Sequence, residues 1–572
     1  MERSRLIVEK SEVAVDNGCV VAQHPIAAEV GAEVLAQGGN AVDAAVATAF
    51  ALGVVEPMMS GPGGGGDILV HLARDDSDRA IDFLPHPPAA VRPDMFELDR
   101  GRGTVGMYGW PAVKADANTS GYRAVAVPGA VAGLCRALEK WGTWPLRKVI
   151  EPAVALAEEG FVADWYISAM ITAGARRMRH FEEIARVFLP GGLPPEARTR
   201  TYVAVEPLRQ LDLAHTLKRI AEHGPDEFYR GETARLMVRA MEHHGGLITA
   251  QDLAAYRPVE YEHLAAQRYR DVTMLTVPTP CGATTTFEAL NIIEGFDLRA
   301  AGFHSARALH LLAEAQRLAF QDRFAHLADP AAVAVPLEGL LSREYAAHRR
   351  AAIDPRRARP HIGPGEPWTF QQAKHPAAQA RIPRGEGGCT THLCVIDRDR
   401  NMVSLTNTLL DVWGSMVMPA GTGIVLNDGM GWYDPEPGHL NSIAPGKRPL
   451  SAGAMMLVRR GGRPFMALGA PGGRKIITAV MQVLINVVDY GMGMQAAIAA
   501  PRMHAEAQTV SLDARLTAVG AQLAAMGHNV DLQEETYLSV NFARPVGIMI
   551  DPADGKLRAG VDVLRPATAV GL

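Results

Sequence analysis

Cysteine is scarce in this chain of 572 residues: Cys19, Cys135, Cys281, Cys389 and Cys394 are five, odd in number and scattered. That argues against a disulfide framework and, without paired Cys-x-x-Cys spacing, against a structural zinc site. Reduced thiols in an intracellular setting are the expectation. Long apolar runs are also missing, since the longest, from Ala41 to Val55, is broken by Asp43 and is too short to cross a bilayer. The first ten residues hold no apolar leader core and no cleavage signal, so a cytoplasmic protein without membrane contact is expected. Charge is close to balanced: a net −5 gives no basic field for nucleic acid or anionic lipid. No repeat and no low-complexity tract stands out. The glycine run Pro62-Gly63-Gly64-Gly65-Gly66-Asp67 lacks the Gly-Lys-Ser/Thr ending of a phosphate loop. His310, Glu314 and His326 share a helical stretch, but a third ligand at compatible spacing is missing. Neither a cofactor nor a metal is expected.

What remains is ample material for a core, with 48% hydrophobic residues. Pro25 suits the first turn of a helix ending at Gly38-Gly39, and Asn40 with Asp43 caps a second from Ala41 to Leu52. Further helical runs are Leu146 to Glu159, Gln210 to Ala221, Ala234 to His244, Thr284 to Glu294 and His304 to Ala328. Thr249-Ala250-Gln251-Asp252 reads as a capping box. Strands are expected at Cys19 to Gln23, Ile68 to Leu72 and Pro464 to Leu468. Residues 86–120, rich in Pro, Gly and Asp, read as a surface loop, and 352–385 as mobile. Cys281, ahead of a helix and with no partner base in the sequence, reads as a structural thiol.

The stretch that organises the chain is Gly387-Gly388-Cys389-Thr390-Thr391-His392-Leu393-Cys394-Val395-Ile396-Asp397, a glycine hinge running into a β-branched strand. Asp397-Arg398-Asp399-Arg400-Asn401 turns it into a second strand, Met402 to Leu409. Downstream stand Pro419-Ala420-Gly421-Thr422-Gly423-Ile424-Val425-Leu426-Asn427, then Pro445-Gly446-Lys447-Arg448-Pro449-Leu450-Ser451, then Gly469-Ala470-Pro471-Gly472-Gly473. This ordered set resembles the small subunit of the γ-glutamyl transpeptidase family, a branch of the N-terminal nucleophile hydrolases, and the first 390 residues resemble its large subunit.

The resemblance implies an α+β fold, two stacked antiparallel sheets between helical layers (αββα). It also implies self-cleavage between Cys389 and Thr390. A large subunit of residues 1–389, with a mobile tail at about 352–389, and a small subunit of residues 390–572 would then form a heterodimer, which could itself dimerise. A threonine hydroxyl is a poor nucleophile until a base takes its proton, and an α-amino group of pKa about 8 is such a base once Thr390 begins a chain. By the same resemblance Thr408 contacts the nucleophile, while Gly472 and Gly473 form the oxyanion hole.

The substrate-binding positions depart from the family. Leu84 follows Asp82-Phe83 where transpeptidases carry an arginine, Trp432 stands for the aspartate that holds the α-amino group, and Leu410 for an asparagine. Ser451 is kept, but Ala452 replaces a second serine. A zwitterion needs those partners, because an unpaired buried charge costs several kcal/mol. Leu189-Pro190-Gly191-Gly192, Gly224-Pro225-Asp226 and Ser442-Ile443-Ala444-Pro445-Gly446-Lys447-Arg448 are more similar to the cephalosporin-acylase branch than to glutathione-degrading enzymes. A pocket walled by Leu84, Leu410, Trp432 and Tyr433 would take an apolar or aromatic acyl amide, with Arg474 supplying a cation for a carboxylate. Two other readings stay open: a true γ-glutamyltransferase or glutathione hydrolase, and an uncleaved, catalytically silent binding protein.

Overall fold

A computed structural model describes residues 8–106, 108–195, 205–371, 388–537, 539 and 541–572. Two seven-stranded sheets form its centre. One runs in the order Thr568–Gly571, Gly18–Ala22, Cys389–Asp397, Met402–Leu410, Gly65–Leu72, Ser77–Asp82, Val259–Tyr261. The other runs Val13–Val15, Leu557–Val561, Val546–Ile550, Arg463–Gly469, Met456–Arg460, Val272–Thr276, Ala265–Tyr269. Every pairing within both is antiparallel.

The layering follows from period-two alternation, which sends successive side chains to opposite faces of a strand. In Gly18–Ala22, Val20 and Ala22 join the core under the helices Pro25–Ala36 and Ala41–Val55, while Cys19 and Val21 join the core between the sheets. Leu393 and Val395 divide from Cys394 and Ile396 in the same way. The second sheet is covered by Gly282–Ile293, Ala306–His326 and Lys475–Val488. The result is the expected α+β sandwich of four layers, αββα.

Local signals place the helices. Asn40 and Asp43 make a reciprocal capping box, as do Thr249 and Asp252. All fifteen residues of Ala41–Val55 are buried, which its alanine-rich composition allows by letting backbone layers approach closely.

One expectation needs refinement: residues 86–120 are exposed at Arg92 to Asp94 and 100–104, but Val91, Phe96, Tyr108, Trp110 and Val113 pack with Leu410, Met430, Trp432, Tyr433 and Ile443 in a separate apolar cluster. Of 352–385, residues 372–385 lie outside the described residues, and the rest makes some fixed contacts. Ala358 donates to the Met526 carbonyl at 2.8 Å, Gly365 to Asp322 at 2.6 Å, and Trp368 is buried. No helix among the described residues is long and apolar enough to cross a membrane.

Candidate active site

The Cys389–Asp397 strand lies inside its sheet, paired with Gly18–Ala22 on one side and Met402–Leu410 on the other. Its register breaks at the start: Cys389 faces Leu410, but Thr391 faces Asn407, so Thr390 stands against two residues, Thr408 and Leu409. A bulge of this kind re-aims the side chains beside it. Thr390 falls on the face shared with His392, which packs between the sheets against Gly469, where a Cβ would lie 2.3 Å from the imidazole. The His392 ring holds Thr406 at 2.9 Å and Ser404 at 3.3 Å, and burial pushes its pKa down to about 3, so it is neutral. Thr391 points the other way and donates to Glu56 at 2.7 Å.

The Cys389 carbonyl oxygen accepts two hydrogen bonds, one from the Thr390 hydroxyl and one from Thr408 Oγ1 at 2.7 Å. The first puts Thr390 Oγ1 against the peptide group that precedes it. The second is a fixed donor where negative charge would develop on attack. Thr408 is itself held by the Leu410 amide, which donates to its hydroxyl at 2.9 Å. Gly472 and Gly473 each line a cavity with Thr390, Gly473 the one that holds Thr408 and Gly472 the one that holds Gly388 and Glu56. Both have positive φ, 134° and 59°, and a Cβ on Gly472 would come within 2.6 Å of the Ala543 backbone. Only glycine fits that turn. Gly388 also has positive φ, while Gly387 lies outside the described residues.

The cavity in front of Thr390 is walled by Leu84, Leu410, Trp432, Ser451 and Ala452, together with Tyr108, Ile476, Thr406, Thr408 and Asp67. Leu410 sits at φ 86°, a conformation that costs a branched residue about 1–2 kcal/mol and that the family's asparagine would tolerate better. Tyr433 is not on this wall. Its hydroxyl donates to the Lys447 carbonyl at 2.6 Å within the apolar cluster behind Trp432. Arg474 does not offer a cation either: its guanidinium grips Glu506 through two bonds of 2.8 Å and holds that carboxyl well below its usual range. Tyr108 and Asp67 were not anticipated. The first is hidden in a segment with loop composition, and the second follows a glycine run that reads as a turn.

Glu56 is buried beside the cavity that holds Gly388, Cys389 and Thr390, and burial pushes its pKa from 4.5 up to about 7. A carboxyl raised in the folded state contributes stability that is present below the unfolded value and lost as pH rises through the folded one. The affected window is therefore about pH 4.5 to 7, with a full effect on the order of 3 kcal/mol. Glu56→Gln should fall less in Tm than the wild type between pH 5 and pH 8; an equal fall in both would contradict this assignment.

Cys281 is buried and its thiol is pushed up by desolvation, as suits a structural role. His326 bonds to the Gly365 carbonyl instead of joining His310 and Glu314. The third group that the local spacing lacked comes from elsewhere in the chain. His528 lies 2.7 Å from His310 Nδ1, whose Nε2 reaches the Asp354 carbonyl at 2.7 Å, and Glu314 pairs with Arg317 at 2.6 Å.

A profile described as Gamma-glutamyltranspeptidase matches residues 27–572. An acylase ACY 1 proenzyme of Pseudomonas sp. (strain SE83) is 39% identical over 529 residues, 91% of this chain and 88% of the relative. A glutathione hydrolase proenzyme of Escherichia coli (strain K12) is 36% identical over 506 residues, 86% of this chain and 81% of the relative. Among solved structures, a cephalosporin acylase from Bacillus halodurans superposes with TM-score 0.86 at 27% identity, covering 100% of this chain and 99% of its own. A Helicobacter pylori γ-glutamyltranspeptidase gives TM-score 0.55 at 32% identity, over 64% of this chain and 97% of its own.

Proposed function

The chain belongs to the γ-glutamyltranspeptidase family of N-terminal nucleophile hydrolases, and we propose that it is an autoprocessing amidohydrolase that uses Thr390 to cleave acyl amides other than γ-glutamyl ones. The observation that carries this reading is the Cys389 carbonyl, bonded by the Thr390 and Thr408 hydroxyls beside a cavity walled by Leu84, Leu410 and Trp432.

In the first reaction the Thr390 hydroxyl attacks the Cys389 carbonyl carbon, with Thr408 stabilising the oxyanion. The C–N bond breaks, an ester joins Cys389 to Thr390 Oγ1, and the freed α-amino group takes the proton. Water then hydrolyses the ester, releasing residues 1–389 from 390–572. The two fragments stay together because the strand that begins at Thr390 is paired along both edges, Cys394 to Asp397 with Gly18 to Val21 of the large fragment and Thr391 to Ile396 with Met402 to Asn407 of the small one. Once free, the α-amino group serves as the base for attack on a substrate amide, and Thr408 with the Gly472-Gly473 turn faces the oxyanion.

Specificity follows from what walls the pocket. Leu84 and Trp432 stand where a γ-glutamyl group would find its ionic partners, so its charges would be desolvated without return. The relatives named acylases are consistent with such a pocket. The mature enzyme should hydrolyse an apolar or aromatic acyl p-nitroanilide with a kcat/KM at least about 100-fold above that for the γ-glutamyl anilide. Leu84→Arg with Trp432→Asp should narrow that gap. A wild-type kcat/KM for γ-glutamyl anilide equal to or above that of every acyl anilide tested would overturn the reading in favour of a glutathione-type hydrolase.

A further inference from the structure

The strip of pocket wall at Ser451 and Ala452 belongs to the small fragment, but the groups that anchor it come from the large one. Arg323, on the helix Ala306–His326, is 1% exposed and reaches this strip from the large fragment. Its Nη2 donates to the Ser451 carbonyl at 2.8 Å and to the Leu450 carbonyl at 3.4 Å. Its Nη1 donates to the Cys281 carbonyl at 3.0 Å and to Thr285 Oγ1 at 3.4 Å, both at the start of the helix Gly282–Ile293. One planar fork thus ties the wall to a helix end, a span that a point charge such as lysine does not reproduce.

Other contacts hold the same strip from the same side. The Ala283 amide donates to the Gly453 carbonyl at 3.1 Å, and a Cβ on Gly282 would lie 2.1 Å from the Ala452 carbonyl oxygen. Inside the strip, Ser451 Oγ accepts from the Gly453 amide at 3.0 Å and the Ser451 amide donates to the Pro449 carbonyl at 3.0 Å. Those two bonds shape the turn without anchoring it to the body of the protein. Burial pushes the Arg323 pKa down to about 10, so the side chain is still charged at neutral pH. Among the described residues no carboxylate bonds it. A buried cation of this kind is costly, and for stability alone a well-packed apolar side chain serves as well or better. Its bonds to the pocket wall point to a task other than stability.

We propose that Arg323 is a positioning residue for the acyl pocket that acts from one fragment on the other. It fixes Ser451 and Ala452 in the cavity they share with Leu84 and Trp432, and so the fit of the acyl chain, while self-cleavage proceeds without it. The proposal rests on the reading of this cavity as the acyl site. Self-cleavage uses the Thr390 and Thr408 hydroxyls at the Cys389 carbonyl, and Arg323 bonds to none of these three residues. A substrate must in addition seat its acyl chain against the wall.

The test is Arg323→Lys, which keeps the charge and loses the fork. The variant should cut itself at the same bond within about twofold of the wild-type rate. With hexanoyl p-nitroanilide its KM should rise by about tenfold or more while kcat changes by less than about threefold, the pattern of binding lost equally from ground and transition states. An unchanged KM would overturn the proposal, as would self-cleavage slowed by as much as kcat/KM falls. If Arg323→Lys gives no soluble protein, Gly282→Ala decides, because its methyl displaces the Ala452 carbonyl without altering any charge. The same rise in KM with self-cleavage retained is expected there, and an unchanged KM overturns the assignment. Hydrolysis of no acyl anilide by matured wild type would count against the acyl-site reading itself. Arg323 is then judged by binding: hexanamide should raise the Tm of wild type more than that of Arg323→Lys, and equal shifts overturn its role.

Discussion

Thr390→Ala is expected to stay a single uncut chain and to lose turnover by on the order of 10⁴-fold or more, the scale set by removal of a covalent nucleophile. The hydroxyl lost is the one bonded to the Cys389 carbonyl, and no neighbour can replace it. Thr391 is adjacent in sequence but points into the helical layer, where its hydroxyl is committed to Glu56. Thr391→Ala should therefore still be cut at the same bond and keep part of its activity. A denaturing gel over time and an anilide assay on each variant check both halves. Comparable processing and turnover in the two variants would mean that the nucleophile is misplaced.

The second large effect is expected at Thr408. Valine there keeps the shape of the side chain but removes the 2.7 Å donor to the Cys389 carbonyl and the acceptor of the Leu410 amide. Loss of one oxyanion donor costs about 10²–10³ in rate. Unpairing the Leu410 amide adds a stability cost of about 1–3 kcal/mol, at a residue already held at positive φ. Thr408→Val should accordingly mature 10²–10³-fold more slowly than wild type in a time course from purified precursor. Thr408→Ser, which restores the hydroxyl, should recover most of the rate. If Ser and Val mature equally slowly, the hydroxyl is not what matters, and Thr408 acts through packing.

Much of this architecture is legible in the sequence because it depends on short-range signals. The alternation from Thr390 to Asp397 assigns Thr390 and Thr391 to opposite faces, and the Asp397-to-Asn401 cluster turns the hairpin where it is found. Asn40 with Asp43 and Thr249 with Asp252 cap the helices they precede. What is not legible depends on register or on distant partners. The bulge that sets Thr390 against Thr408 and Leu409 is a matter of hydrogen-bond pairing, which composition does not encode. Arg474 looks like an available cation until folding brings Glu506 to it. Tyr108 and Trp110 sit in a segment whose Pro, Gly and Asp content reads as exposed loop, yet tertiary packing buries them against Trp432. Asp67 fails for a related reason: nothing local tells a buried, unbonded carboxyl from a turn residue after four glycines.

Whether Thr390 frees its own α-amino group is read from the mass of the fragments of freshly expressed protein, together with the N-terminal residue of the smaller one. Two fragments are expected, the smaller beginning at Thr390. Full-length chain alone after prolonged incubation, or a small fragment beginning at any other residue, would contradict it.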